Sequence, residues 1–130
     1  MKFREIVDSI AEACMWVVSE EPDGSICVEV PTGSDRSQMV VITEDTDIAD
    51  QVIVRYWSVI GEAEGIEFRR CLEENAKMAY GAFALQGANL VLMDTQLVAD
   101  ADPMEVGASI GSLAAYADRY ERDLFGVDNF

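Results

Sequence analysis

Apolar residues in the first part of the chain recur at steps of three and four. Phe3, Ile6, Val7, Ile10, Cys14, Val17 and Val18 fall on one side of a helix over 3–19, with Arg4, Glu5, Asp8 and Glu12 on the other. That is the stripe of a helix lying on a core. The helix should end in Glu20-Glu21-Pro22-Asp23-Gly24, where proline followed by Asp-Gly signals a turn. Three short runs rich in β-branched and aromatic residues come next. They cover 25–30, bounded by Pro31 and Gly33, then 38–43, then 51–60, which stops at Gly61. The acidic segment Glu44-Asp45-Thr46-Asp47 reads as the turn between the last two. Connections this short favour antiparallel neighbours.

A second helix is expected over 64–76, with Ile66, Cys71 and Leu72 among its apolar positions. Runs 80–85 and 89–95 then form a hairpin around Gln86-Gly87-Ala88-Asn89. The final helix carries the clearest start signal. Asp102 is placed to cap it, Pro103 to occupy its first position, and Glu105 to complete a capping box. Val106, Ile110, Leu113, Ala117, Tyr120 and Leu124 follow at alternating steps of four and three, and Gly126 is a natural stop. The predicted architecture is a single α+β domain over residues 1–130. Its antiparallel sheet carries the helices on one face, in the order αβββαββα.

One part of the pattern does not suit a sheet with a wet outer side, which should alternate apolar with polar residues. Met39-Val40-Val41-Ile42 and Leu90-Val91-Leu92-Met93 are apolar at consecutive positions. In the run 51–60, Ile53, Trp57 and Val59 share a face with Arg55, while Val52, Val54 and Tyr56 point the other way. Ile53, Arg55, Trp57 and Val59 therefore form a candidate dimer or partner surface. The cover is a second copy, a bound peptide, or the stems and strand ends of the chain itself. Gly107, Gly111 and then Ala114 or Ala115 put small residues on one side of the last helix, and Gly107, Gly111 and Ala115 are a second candidate contact. Glycine inside a helix costs about 1 kcal/mol against alanine, so close approach should compensate. Packing on the chain's own sheet and dimerisation account for these positions equally well.

Composition adds constraints. Half of the 130 residues are hydrophobic, and 25 acidic against 9 basic residues give a net charge of −16. Such a surface repels phosphate backbones and anionic lipids, and the only basic pair is Arg69-Arg70, so neither nucleic acid nor membrane is an expected partner. The start of the chain turns acidic within five residues, and no run reaches the ~20 apolar residues of a membrane span. Three widely spaced cysteines, Cys14, Cys27 and Cys71, read as buried thiols in a reducing cytoplasm.

Catalytic chemistry finds little footing. The chain has no histidine, which removes the commonest general base and the usual nucleophile dyads. There is no Cys-x-x-Cys pair, and no phosphate-binding glycine loop. Gly107-Ala108-Ser109-Ile110-Gly111 matches the spacing of a nucleophile elbow but lies within a helical pattern, with nothing to activate the serine. The carboxylates Glu44, Asp45 and Asp47, and Asp94, Asp100 and Asp102, lack the spacing of a calcium loop and read as solvated turns. No cofactor, metal or catalytic residue is assigned. A small-molecule or metal-sensing regulatory domain, built on those loops or on a groove of Tyr56, Trp57 and Tyr80, is the alternative to a binding module.

The segment Cys71-Leu72-Glu73-Glu74-Asn75, the strand Tyr80-Gly81-Ala82-Phe83-Ala84-Leu85, its partner Leu90-Val91-Leu92, and the helix with Ala114-Ala115-Tyr116-Ala117-Asp118-Arg119-Tyr120 resemble the type III secretion chaperone-like superfamily. Within it, the YbjN-like proteins, often described as sensory transduction regulators, are the nearer match. The likeness covers residues 71–124. It implies a non-enzymatic homodimer in the bacterial cytoplasm, with a sheet surface open to an extended peptide or another protein. It carries over no catalytic residue.

Overall fold

The structure is a computed structural model, and it describes residues 2–125. Helix α1 (Phe3–Cys14) is followed by strands β1 (Val17–Glu20), β2 (Ile26–Gly33), β3 (Arg36–Thr46) and β4 (Val52–Glu62). Helix α2 (Phe68–Asn75), strands β5 (Ala82–Gln86) and β6 (Asn89–Leu97), a 3-10 turn (Val98–Asp100) and helix α3 (Pro103–Phe125) complete the chain. The architecture is α+β, with one six-stranded sheet in the order β1-β2-β3-β4-β6-β5 and every neighbouring pair antiparallel.

The first helix is shorter than its stripe suggests, and the extra strand comes from the difference. Met15 takes a left-handed conformation at φ 61, and the Trp16 amide donates back to the Ala11 carbonyl at 2.8 Å. The helix therefore stops at Cys14, and Val17 and Val18 join a strand instead. Val18 still meets the core, now opposite Val28, but Val17 is 64% exposed. Two valines at helical phase are also strand formers, and no glycine marks the break. The order is thus αββββαββα. Cys14 is exposed, contrary to its expected burial, whereas Cys27 and Cys71 are buried.

Other boundaries move less. Strand β2 runs through Pro31 to Gly33 with a bulge between them. Strand β3 takes in Glu44, Asp45 and Thr46, so the turn falls at Asp47, whose carboxylate accepts from the amides of Ala49 and Gln51. Helix α2 begins at Phe68, four residues later than expected, and Leu72 is 68% exposed. Helix α3 starts at Pro103 as expected, with the Asp102 carboxylate accepting the Glu105 amide at 2.8 Å, but among the described residues no bond from the Asp102 amide to the Glu105 carboxylate completes the capping box. Gly126, the expected stop, lies outside the described residues.

One face of the sheet carries the core. Ile26, Val28, Val40, Ile42, Val54, Tyr56, Ile60, Leu90, Leu92 and Phe83 all point to it, and residues of α1, α2 and α3 close over them. From α3 the buried contributors are Val106, Ile110, Leu113, Ala114, Ala117 and Tyr120. Two glycines permit close approach. A Cβ at Gly61, beside the β4 bulge, would lie 2.6 Å from the Phe125 ring. Gly81 sits at φ +83, with Leu113 and the Met93 carbonyl within 3.1 Å of where a Cβ would be.

The same layer holds buried polar groups. Gln38 and Ser58 hydrogen-bond each other at 2.9 Å, and the Ser58 hydroxyl donates to the Met39 carbonyl at 2.6 Å. Arg36 donates to the buried Asp118 of α3 at 2.9 Å, pinning the β2–β3 turn to that helix.

Candidate functional site: an uncovered sheet face and a polar cleft

Directly opposite residues of antiparallel strands share a face, so the strand register maps the side turned away from the helices. One row crosses the whole sheet: Ser19, Cys27, Val41, Trp57, Met93 and Ala82. On one flank lie Val59, Val91 and Ala84. On the other, Thr43, Arg55 and Thr95 form the next row, and Asp45, Ile53 and Leu97 the one after. None of these residues belongs to the core under the helices.

Four of the expected surface residues come together here. Ile53, Arg55, Trp57 and Val59 stand at alternate positions of β4 on this outer face. Ile53 is buried at 5% exposure, as are Cys27 and Val91, so neighbouring side chains already close part of the face. Trp57, Val59, Val41 and Met93 remain half-buried. The row through Trp57 carries no charge. The Arg55 guanidinium meets the Asp45 carboxylate at 3.3 Å, and that arginine, after the Thr46 amide, helps hold the Asp45 carboxyl below its usual range. Burial, then the charges of Glu21 and Glu29, push the Cys27 thiol up, so it stays protonated.

The small residues of α3 are elsewhere. Gly107 faces Ile10 of α1, and Gly111 faces the Trp16 ring; a Cβ on each would lie 3.6 and 3.7 Å from them. Their neighbours belong to this same chain, on the helical layer and not on the sheet. Both distances are ordinary contacts that would admit alanine. Ala115 is exposed.

Asn75, at the end of α2, plays a part that its place in the sequence does not announce. Its Oδ1 accepts the Phe83 amide at 2.6 Å, and its Nδ2 donates to the Phe83 carbonyl at 3.5 Å. The side-chain amide thus bonds the free edge of β5 as a neighbouring strand would. Beside it, Phe68, Cys71, Leu72, Phe83 and Leu85 line an open apolar groove of about 300 Å³ between α2 and β5. Burial raises the Cys71 thiol above its ordinary value. Tyr120 stacks edge-on against Phe83 and donates to Glu74 at 2.9 Å, and burial followed by that bond pushes its phenol up to about 12.

A polar cleft of about 480 Å³ opens between the first turns of α3 and the end of β6. Asp94, Gln96, Tyr80, Glu105 and Ser109 line it, together with Met104 and Ala108. The buried Tyr56 hydroxyl donates to Gln96 Oε1 at 2.8 Å. Its pKa is raised, first by burial and then by the nearby Asp94 charge. Ser109, centre of the Gly-x-Ser-x-Gly spacing, sits inside α3 as the helical pattern requires. Trp57 faces the opposite side of the sheet from Tyr56, so these two aromatics share no groove.

Among the described residues, no three histidine, cysteine or carboxylate side chains converge in a way that could hold a metal ion. No helix among them is long and apolar enough to cross a membrane. No protein-family model matches the chain, and no curated protein is detectably similar to it.

Proposed function

We propose that this protein is a non-enzymatic binding module that works as a homodimer through the outer face of its sheet. The observation that carries the reading is the uncharged row Cys27, Val41, Trp57, Met93 and Ala82, which crosses the sheet with no helix above it. Two such sheets can pack face to face at ~10 Å. The charge distribution favours a second copy as the cover. The row itself is uncharged, with Arg55, Asp45, Glu29 and Glu62 at outer-face positions around it and the Glu21 charge within reach of Cys27, in a chain of net charge −16. Approach through any strongly acidic surface is opposed by repulsion, and the uncharged row is a stretch where that opposition is weak. A two-fold axis places the same patch on both subunits.

The resemblance to the secretion chaperone-like superfamily, and to its YbjN-like branch, points the same way. It adds a client: an extended peptide or another protein, for which the apolar groove between α2 and β5 offers a seat. Free thiols suit a reducing cytoplasm.

The test is sedimentation equilibrium of the wild type and of Trp57→Asp, with circular dichroism to verify that the variant is folded. The expected result is a wild-type dimer and a folded, monomeric variant. A wild type that stays monomeric throughout the micromolar range would sink the dimeric reading.

A further inference from the structure

The cleft between α3 and β6 lies on the helical side of the sheet, with Thr95 of β6 at its rim, and its lining has a definite chemical character. Asp94 and Glu105 bring two carboxylates to it, and neither lysine nor arginine lines it. Ser109 is only 4% exposed, lines the cleft, and makes no hydrogen bond among the described residues. Its oxygen is not among the fully enclosed polar atoms that lack a partner, so it opens onto the cleft and can bond what enters. Gln96 is held at its Oε1 by Tyr56, which leaves the amide N–H groups at the other end of the side chain. Asp94 accepts the Thr95 amide with one oxygen, at 2.9 Å, and its other oxygen takes part in no hydrogen bond or ion pair among the described residues. Met104 and Ala108 supply an apolar wall.

From this lining we infer that the cleft binds an alkylammonium, with the ammonium on Asp94 and the Ser109 hydroxyl, the carbon chain along Met104 and Ala108, and Glu105 at the mouth. An anion is opposed by both carboxylates and by the net charge of −16. A bare divalent cation needs six or more oxygen ligands, and two carboxylates on separate elements do not gather them. An ammonium donates to acceptors such as the second Asp94 oxygen and the Ser109 hydroxyl and tolerates an apolar stem along Met104 and Ala108. The ammonium belongs either to a free aliphatic amine or to a lysine side chain of a partner.

The experiment is a titration of uniformly 15N-labelled protein with putrescine at constant ionic strength, with 1,4-butanediol as the uncharged probe of equal length. Saturable shifts at Thr95, Gln96 and Ser109 are expected with putrescine and none with the diol. Asp94→Asn should weaken binding about tenfold, the loss of one charge-assisted bond. Glu44→Gln removes the same charge from a remote strand and should leave binding unchanged. Should Asp94→Asn fail to fold, Glu105→Gln on the exposed first turn of α3 serves in its place, with a smaller weakening expected. Blocked lysine amide is the second ligand: tighter binding than putrescine assigns the ammonium to a partner's side chain, the reverse to a free amine. Unsaturable shifts spread over the acidic surface, equal weakening by Glu44→Gln, or equal binding of the diol would each overturn the site. The dimer through Trp57 is unaffected by any of these outcomes.

Discussion

The two faces of the sheet are built from the same strands and nearly the same residue types, yet they are finished differently. On the inner face, Val40, Val54, Tyr56, Ile60 and Leu92 have no exposed surface because three helices lie over them. On the outer face, Val41, Trp57, Val59 and Met93, one position along the same strands, are half-buried under nothing but their neighbours. Apolar content alone therefore does not say where a fold keeps its stability. What matters is whether a second layer completes the burial, and on the outer face no helix does so.

Substitutions sharpen that contrast. Leu113→Ala, on α3 above the inner face, should cost about 2–5 kcal/mol, because the removed side chain leaves a cavity among fully buried neighbours. Val59→Ala on the outer face should cost less than about 1.5 kcal/mol in the monomer. Urea denaturation of both variants in a Trp57→Asp background, chosen to remove the proposed association, measures the difference. Equal losses would mean that the outer face is as tightly packed as the core.

Asn75→Ala tests the sheet where both faces end, at the free edge of β5. It removes the partner of the Phe83 amide and should cost about 1–3 kcal/mol. A loss confined to the fraying of β5, with the global midpoint unchanged, would show that the edge contributes only locally.

The smallest effect has the opposite sign. Gly111→Ala should stabilise the protein by up to about 1 kcal/mol, since the added methyl meets Trp16 at ordinary contact distance and helix propensity improves. A rise in thermal midpoint without change in oligomeric state is expected. A variant that loses its dimer would instead put Gly111 at the subunit boundary.

Most of the architecture was legible in the sequence, for identifiable reasons. The α3 stripe is long enough for its period to be unambiguous, and Asp102-Pro103 marks its start with local chemistry. The alternation in β4 correctly separated Trp57, Val59 and Arg55 from Val54 and Tyr56. The missed strand β1 failed on two residues, Val17 and Val18, which fit a helix and a strand equally well. Only the left-handed turn at Met15 decides between them, and methionine gives no notice of it. Cys14 went wrong with the same helix, because an exposed final turn carries the same spacing as a buried one. The cleft was out of reach altogether. Ser109 and Asp94 are brought together by the docking of α3 on β6, a tertiary fact that no local period encodes.

The clasp between Asn75 and Phe83 has a consequence in time. A hydrogen on the Phe83 nitrogen can trade with solvent only while that clasp is open, so its exchange rate counts the moments when the end of α2 lets go of β5. Those are also the moments when the edge can accept a visiting strand. Any strand added at this edge would bind with an affinity lowered by the fraction of time the clasp stands open, while its occupancy still rises with concentration.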